Sequence, residues 1–407
     1  MSANAPSPAS GKPPIGADLW TLFAVVFVNL IGFGVVVPLL PFFAASLDAD
    51  PWQVTLMFSA YSLGQFFAEP LWGRLSDRMG RRPILIATIA ANVIGYLALA
   101  FAPNIWFAIA IRLFTGFGAG NVSTVQGYVA DVTPPAYRAG RLGLIGAAFG
   151  AGFIIGPAMG GLLAQDGVGP EGYRLPLFVA AGMAALATLG VILFVKESRK
   201  PGAAEGPRPR LRAAMSEARR DPVISRVVLV TFVYMGAFAG MESTFGLWSA
   251  AKFDWGARET GLLFLVIGVV AAVAQAFLTG RLARRFGEDK LLAFGMLLFG
   301  ACLAIQTLHS EPWLVPVFTG LGALGQSLAY PCIAALISRR ADPERQGAFL
   351  GLNMAAGSAA RIAGPALAGV LFTTFGPDMP LWIGALLVVP AAIMALNAGK
   401  AFRKLQE

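Results

Sequence analysis

Long apolar stretches separated by short charged connectors are the feature of this sequence that most limits its fold. Residues 84–102 and 142–164, for example, contain no charged side chain, and each is about as long as the ~20-residue helix that crosses a bilayer. Only 13% of all residues are charged, about half the ~25% of an average soluble domain. A soluble fold cannot bury so much apolar surface. Since the apolar runs are too long for barrel strands, the sequence predicts an all-α integral membrane protein.

Twelve stretches have the length and hydropathy of membrane spans. The predicted spans are 19–42, 53–73, 84–102, 106–129, 142–164, 175–195, 226–251, 259–280, 290–309, 313–337, 347–372 and 380–399. They define an N-terminal six-helix bundle, 19–195, and a C-terminal six-helix bundle, 226–399. The hydrophilic segment 196–225 is predicted to be a cytoplasmic linker. Residues 1–18, rich in Pro, Ser and Ala, are expected to form a disordered cytoplasmic tail, and 400–407 a second tail.

Arginine and lysine are concentrated in every second connector, which indicates the orientation of the chain. The connector GRLSDRMGRRP at 73–83 alone carries four arginines. The connectors of the opposite side hold Arg174, Lys252 and Arg258 among several acids. We therefore expect a multi-pass protein of the bacterial inner membrane with both termini in the cytoplasm. Nucleic-acid binding is disfavoured, because the net charge of +9 comes from these connectors.

Two landmarks recur in the second half of the chain at nearly the same offset. Gly73-Arg74-Leu75 returns 207 residues later as Gly280-Arg281-Leu282, and Gly156-Pro157 returns 208 residues later as Gly364-Pro365. Two matching offsets indicate an internal duplication. Parallel six-helix repeats with a substrate site between them are typical of one large class of secondary transporters.

Three motifs in this chain resemble those of the major facilitator superfamily. The connector between spans 2 and 3 matches at Gly73, Leu75, Asp77, Arg78, Gly80, Arg81 and Arg82. Span 4 carries an R-x3-G pattern at Arg112 and Gly116. Span 5 matches the pattern of exporters at Gly143, Gly152, Gly156, Pro157, Gly160 and Gly161. The resemblance implies two pseudo-symmetric six-helix bundles that work by alternating access.

Within this superfamily the sequence is most similar to the tetracycline/proton and multidrug antiporters. The segments GFGVVVPLLP in span 1 and YVADVT at the end of span 4 carry that similarity. One position departs from it, because Asn29 stands where such antiporters usually have an aspartate in span 1. An amide can bind a substrate or Arg112 but cannot carry a proton. Tetracycline transport and the usual proton site are therefore in question.

The connector at 73–83 predicts a conformational latch. Its arginines can simply hold the loop inside and bind lipid headgroups, but that role needs no acid, so Asp77 requires another explanation. A carboxylate there can accept hydrogen bonds from a helix N-terminus or an arginine of the other half in one conformation only. The residues assigned to this latch are Gly73, Asp77, Arg78, Gly80, Arg81, Glu69 and Asp131.

Span 5 predicts a close helix–helix contact. Gly152, Gly156 and Gly160 share one helical face, as in the small-xxx-small pattern of membrane helices. With Gly143, Pro157 and Gly161 they are interpreted as a gating motif that packs against the other half. Ordinary tight packing is the alternative.

Ionisable residues within spans are expensive and therefore informative. Glu242 and Arg361 lie at matched depths in spans 7 and 11, which makes a Glu242–Arg361 pair possible, and Arg112 has Asn29 as its plausible partner. We interpret Glu242, Arg112 and Arg361 as proton-coupling residues. A static ion pair that stiffens the C-terminal half is the alternative.

Polar and aromatic residues near mid-span suggest a pocket for an amphipathic solute. The candidates are Asn29, Phe33, Gln65, Gln126, Tyr234, Trp248, Gln326, Tyr330 and Asn353. The sequence thus favours a proton-coupled exporter of drug-like molecules. A symporter or facilitator for an organic anion and a lipid-moving or sensor protein are the alternatives. Its expected partners are a small-molecule substrate, protons and membrane lipids. No enzyme motif, cofactor, metal site or nucleic-acid partner is expected, and the protein is expected to be monomeric.

Overall fold

A computed structural model describes residues 17–199, 211–342 and 345–404. Most of the predicted N-terminal tail, the middle of the predicted linker and the last three residues lie outside the described residues. The first half comprises α1 (Ala17–Val36), α2 (Leu40–Ala45), α3 (Pro51–Met79), α4 (Arg81–Ala100), α5 (Ile105–Ala119), α6 (Val122–Asp131), α7 (Pro135–Leu163) and α8 (Arg174–Phe194). The second half comprises α9 (Leu211–Arg220), α10 (Pro222–Phe253), α11 (Ala257–Val273), α12 (Gly280–Phe286), α13 (Glu288–Ile305), α14 (Leu314–Arg340), α15 (Gln346–Phe375) and α16 (Met379–Lys404).

Ten helical segments of the described residues are long and apolar enough to cross a membrane. Three of them join two helices of the chain: α1 with α2, α5 with α6, and α11 with α12 through a π-helical turn at Ala274–Thr279. The other two predicted spans fall on α3, which is a less apolar helix, and on α13. α13 has only 18 residues and begins with Glu288-Asp289-Lys290. The predicted all-α membrane fold is confirmed. Ten of its twelve predicted spans coincide with helical segments that are long and apolar enough to cross a membrane.

Buried apolar side chains form two cores, one in each half of the chain, except that Ala257 of α11 belongs to the first core. Phe43, Tyr96 and Tyr128 are among the large residues of the first core. Tyr234 and Trp248 belong to the second, which extends from Ala218 to Ala398. The chain therefore consists of two helical bundles, as the internal duplication predicts.

The duplication is also visible in backbone geometry. Gly80 separates α3 from α4 with φ +103°, and Gly287 separates α12 from α13 with φ +88°. Such positive φ values favour glycine because it has no Cβ. Gly156 of α7 packs against Gly34 of α1. Its counterpart Gly364 of α15 packs against the α10 backbone.

Gly73 ends the predicted span 53–73, but the structure places it differently. α3 continues to Met79, so Gly73 lies inside a helix. A Cβ atom at this position would lie 3.2 Å from Ser123 Oγ of α6. Gly73 therefore allows α3 and α6 to approach closely, and Gly80 alone makes the turn.

Candidate functional site

One face of α7 shows how the two bundles meet. A Cβ atom at Gly161 would lie 2.5 Å from Ala257 O and 3.0 Å from Gly261 Cα, both in α11. Gly150 and Gly143 precede Gly161 by about three and five helical turns and so lie on the same face. A Cβ atom at either would meet no heavy atom within 4 Å. The bundles therefore touch near the end of α7 and separate near its beginning.

The pair formed by α3 and α15 repeats this arrangement. Gly369, near the end of α15, packs against Thr55 of α3, whereas a Cβ atom at Gly351, five turns earlier on the same face, would meet nothing within 4 Å. Between these levels Ser59 Oγ donates a hydrogen bond to Ile362 O at 2.8 Å. We call the contacting end the arginine-poor end. The open end, where α7 and α15 begin, is the arginine-rich end, because it carries the connector at 73–83.

A cleft of about 450 Å³ lies among α10, α11, α13 and α14 of the second bundle. Glu242 is the acid of its lining, and Gln326 and Thr319 are polar residues beside it. Aromatic and aliphatic side chains form most of the rest: Phe238, Met241, Phe245, Phe264, Ile267, Phe299 and Ala323. The cleft therefore combines a carboxylate and an amide with a largely apolar wall.

Arg361 of α15 acts electrostatically on an acid of each bundle. Its Nη2 donates to Ser358 Oγ at 3.1 Å. The guanidinium also acts electrostatically on Glu242 of its own bundle and on Glu69 of α3 in the other bundle. Arg361 thus interacts with Glu242 through space in this conformation rather than as a close ion pair. That one arginine acts on acids of both bundles was not evident from the sequence.

Arg112 of α5 is almost completely buried, with 2% of its surface exposed. Its Cζ lies 4.2 Å from the centre of the Tyr61 ring, a cation–π contact. Nε and Nη1 of Arg112, and Oδ1 of Asn29, have no hydrogen-bond partner among the described residues. The predicted hydrogen bond between Arg112 and Asn29 is therefore absent. Asn29 instead lines a second cleft, within the first bundle, together with Asn121 and Phe149.

Several predicted substrate-binding residues lie where a solute could reach them. Gln326 lines the Glu242 cleft, and Phe33 packs against Tyr61, with ring centres 5.4 Å apart. Gln65 of α3 is half-buried, one turn from Tyr61. Gln126 and Tyr330 are exposed. A direct role of these residues in binding stays a prediction.

Three others have structural contacts that contradict a pocket position in this conformation. Tyr234 and Trp248 are both 0% exposed within the second core. Tyr234 packs against another core ring, and Trp248 Nε1 donates to Asp378 Oδ1 at 2.7 Å. Asn353 Oδ1 accepts a hydrogen bond from Thr231 Oγ1 at 2.6 Å. The Trp248 and Asn353 groups are thus satisfied inside the bundle, which is the usual state of a buried polar side chain. The Tyr234 hydroxyl is buried without a hydrogen-bond partner among the described residues.

The predicted latch is centred on Arg81, which is 6% exposed. Its Nη2 lies 2.8 Å from Asp77 Oδ1, and its Nε lies 3.1 Å from Asp131 Oδ2. Arg199, from the segment after α8, lies 3.3 Å from the same Asp77 oxygen. All these contacts are made within the first half of the chain. A contact of Asp77 with the second bundle stays a prediction for another conformation.

Glu69 does not join this cluster, contrary to the prediction. Its backbone oxygen accepts from Ser123 Oγ at 3.3 Å, while its carboxylate is influenced by Arg361 of the other bundle. The sequence assigned Glu69 to the latch because it lies four residues before Gly73, near the inner end of span 2 and eight residues before Asp77. Along α3, however, eight residues correspond to ~12 Å, which separates their environments.

The glycines of α7 divide between two partners, which corrects the predicted contact with the other half. Gly152, Gly156 and Gly160 pack against Leu30, Gly34 and Val35 of α1, in the same bundle. Gly161 and the carbonyl oxygen of Pro157 instead meet Gly261 of α11, in the other bundle. The small-residue face therefore builds the first bundle. The adjacent Pro157–Gly161 segment forms the contact between bundles.

The comparison with known families agrees with this architecture. The sequence model of the Major Facilitator Superfamily matches residues 22–276 and 243–403. The chain belongs to the major facilitator superfamily. It is thus a membrane transporter and not an enzyme.

Relatives in this superfamily include drug-efflux proteins. The chain is 29% identical to the tetracycline resistance protein, class C, of Escherichia coli over 384 residues. The aligned region covers 92% of this chain and 94% of the Escherichia coli protein. It is 28% identical over 357 residues to the multidrug resistance protein 2 of Bacillus subtilis (strain 168), with coverages of 86% and 88%. The superfamily member described here is thus related to drug-efflux proteins.

Two solved structures of transporters share the fold. The human organic anion transporter MFSD10 (TETRAN) superposes with a TM-score of 0.69 at 24% identity, covering 94% of this chain and all of the other. A bacterial homologue of the human lysosomal transporter Spinster, in an inward-facing and unoccupied conformation, gives 0.77 at 16% identity, with coverages of 95% and 97%. At these identities the likeness extends to the superfamily fold alone.

Sequence reasoning missed the role of Glu197, which follows α8. Its Oε1 accepts from the Arg81 N–H at 2.8 Å and its Oε2 from the Arg82 N–H at 3.1 Å. It therefore caps the first turn of α4, whose amides lack helical partners. The run Lys196-Glu197-Ser198-Arg199 was interpreted as the start of a linker. The sequence did contain a signal for this cap: Glu197 is an acid that directly follows a span and lies opposite an arginine-rich turn.

Proposed function

We propose that the protein is a proton-coupled exporter of drug-like, amphipathic small molecules. It works by alternating access in the bacterial inner membrane, with the arginine-rich end and both termini in the cytoplasm. Its bundles are the segments 19–195 and 226–399, joined by a cytoplasmic linker. The relationship to drug-efflux proteins supports the substrate class.

The position of Glu242 is the observation that carries this proposal. Its carboxylate lies in a cleft walled by Phe238, Phe245 and Phe264, where an unpaired negative charge is costly. Either a proton or a nearby cation such as Arg361 can offset that charge. Binding of substrate in the same cleft changes this balance and expels the proton, which couples the two fluxes.

Alternating access needs one conformation open to each side of the membrane. The observed conformation suits the one that is open at the arginine-rich end. The bundles touch at the arginine-poor end and are apart at the arginine-rich end, from which an exporter loads. In the opposite conformation Asp77 exchanges part of its contacts with Arg81 and Arg199 for contacts with the second bundle. Asp77 then acts as the latch of the cytoplasmic side.

The Glu242→Gln variant tests the coupling. Gln has the shape of protonated Glu but cannot release a proton, so uphill transport driven by a pH gradient should be lost. Downhill substrate exchange should continue. Proteoliposomes loaded with a fluorescent amphipathic substrate report both rates. Glu311→Gln, at an exposed position between α13 and α14, is the matched control.

The two rates separate coupling from other defects. Loss of both uphill and downhill transport in Glu242→Gln would place Glu242 in substrate binding alone. Unchanged uphill transport would remove it from the mechanism altogether. Only the selective loss of uphill transport supports the proposal.

Uptake or facilitated passage of an organic anion is the second candidate, and Arg112 favours it. This guanidinium is buried, and two of its nitrogens lack partners among the described residues. A substrate carboxylate could supply the missing acceptors. The direction of flux in inverted compared with right-side-out vesicles distinguishes export from uptake.

A further inference from the structure

Asp166 joins the two bundles at the arginine-poor end. It lies in the connector between α7 and α8 of the first bundle. Its Oδ2 accepts a hydrogen bond at 3.0 Å from the backbone N–H of Ala257. Ala257 is the first residue of α11 and thus belongs to the second bundle. A carboxylate of one bundle therefore caps a 17-residue helix of the other.

The first bundle holds this carboxylate in a fixed orientation. Tyr173, which is 5% exposed, donates its hydroxyl to Asp166 Oδ1 at 2.8 Å. The Tyr173 ring packs edge-on against Phe43, with centres 6.2 Å apart. The connector is closed by a bond from Gln165 N–H to Gly172 O at 3.0 Å. With one oxygen held by Tyr173, the other is presented to α11.

The second bundle is shaped to receive it. The first amides of a helix have no partners within the helix and carry a partial positive charge. Glu259 accepts from the Gly256 N–H at 3.0 Å, so the helix itself satisfies that donor but not the Ala257 N–H. A Cβ atom at Gly256 would overlap the Asp166 carboxylate. Glycine at 256 is therefore what lets the acid approach.

We propose that Asp166 is a positioning residue that favours closure of the arginine-poor end, a latch opposite to the one expected at Asp77. Its bond to Ala257 is made while the bundles touch there and is broken when they separate. This inference rests on the proposed alternation between two conformations. It adds a residue that controls the equilibrium without contacting substrate or protons.

The expected effect follows from the bond that is lost. Removing one helix cap shifts an equilibrium about 2- to 30-fold. Because this cap spans the two bundles, its loss raises the population open at the arginine-poor end instead of unfolding either bundle. Asp166→Ala should show the full effect. Asp166→Asn, which keeps a carbonyl oxygen but no charge, should show a smaller one.

Cysteine labelling of purified protein in detergent measures this equilibrium. Cys302 and Cys332, both buried and free, are first replaced by Ala. Thr55→Cys then reports on the arginine-poor end, because Thr55 is 0% exposed beside Gly369. Ala147→Cys reports on the other end, because Ala147 is exposed on the open face of α7.

Asp166→Ala should speed maleimide labelling of Thr55→Cys about 2- to 30-fold and slow labelling of Ala147→Cys. Glu171→Gln is the matched control, since Glu171 lies in the same connector but pairs with Arg174 of its own bundle at 2.9 Å. Its labelling should equal that of the parent. If Asp166→Ala does not fold, Tyr173→Phe takes its place. This variant removes the hydroxyl that holds Asp166 Oδ1, so the carboxylate is no longer fixed in its orientation.

Unchanged or slower labelling of Thr55→Cys in folded Asp166 variants overturns the latch. Faster labelling of both reporters also overturns it, because that result means general loosening. These outcomes are independent of transport. If Glu242→Gln retains uphill transport, the coupling proposal fails while the labelling result stands. If the Asp166 variants leave labelling unchanged, the Asp166 latch fails while the transport result stands.

Discussion

Gly261→Ala perturbs the contact between the bundles with a single methyl group. A Cβ atom at Gly261 would lie 2.6 Å from Pro157 O, 2.8 Å from Gly161 Cα and 3.0 Å from Gly161 N. All three are backbone atoms of α7, so no side chain can rotate away to make room. The methyl group fits only if α7 and α11 move apart at the arginine-poor end.

The magnitude follows from the cost of overpacking. An added methyl in a close-packed contact typically costs about 1–3 kcal/mol. The whole cost falls on the conformation in which the bundles touch, because Gly261 is released when they separate. An energy of this size changes the ratio of two conformations about 5- to 150-fold. The shift is toward the conformation open at the arginine-poor end.

Labelling of Thr55→Cys in the cysteine-free background measures this shift. Gly261→Ala should accelerate labelling by the same ~5- to 150-fold if the closed state dominates before mutation. Gly182→Ala in α8 is the matched control. A Cβ atom there would meet nothing within 4 Å, so the variant gains the same helix propensity without a clash. Its labelling should match that of the parent.

Equal labelling rates in Gly261→Ala and Gly182→Ala would refute the reasoning. That result would mean that the Gly161–Gly261 contact is absent from the conformation the protein occupies in solution. Faster labelling accompanied by a lower unfolding temperature in Gly261→Ala would instead indicate damage to one bundle. The expected variant keeps its unfolding temperature, because the clash is relieved by a rigid separation of the two bundles.

Two further predictions concern the arginine-rich turn. Gly80→Ala should lower the free energy of unfolding more than Gly287→Ala. Both residues have a φ that costs a non-glycine residue about 1–3 kcal/mol, but only a Cβ atom at Gly80 would also overlap the Glu197 carboxylate. Glu197→Ala should cost about 0.5–2 kcal/mol through loss of the α4 cap. Glu217→Ala, which breaks an exposed pair with Arg345, should cost ~0–1 kcal/mol. Tryptophan fluorescence during thermal unfolding in detergent measures all four variants; equal costs within either pair would contradict these contacts.

The sequence was sufficient for the architecture, and particular residues explain why. Long uncharged runs can only be membrane helices, because each backbone amide in a bilayer must be satisfied within its own segment. The recurrence of Gly156-Pro157 as Gly364-Pro365 marked equivalent helices, and the two glycines pack against equivalent partners. The turn at Gly80 was also predictable, since glycine between charged helix ends commonly takes positive φ.

The candidate site was predictable only in part. Glu242 and Gln326 line one cleft, as the scarcity of mid-span polar groups suggested. The sequence did not show that Trp248 and Asn353 make hydrogen bonds within the second bundle, because hydrophobicity does not say which face of a fully apolar helix turns to a cavity. Their hydrogen bonds to Asp378 and Thr231 decide that question. Both partners lie more than 100 residues away in the chain.

The sequence by itself determined that the chain forms membrane helices, that its halves are related and that arginine marks one end. These properties depend on local composition and on spacing within a helix. The tertiary structure alone decided which glycines join bundles, which acids share Arg361 and that Asp166 caps a helix of the opposite bundle. Such contacts connect residues such as Asp166 and Ala257, 91 positions apart. Their energy depends on the relative placement of two rigid bodies, which no local pattern encodes.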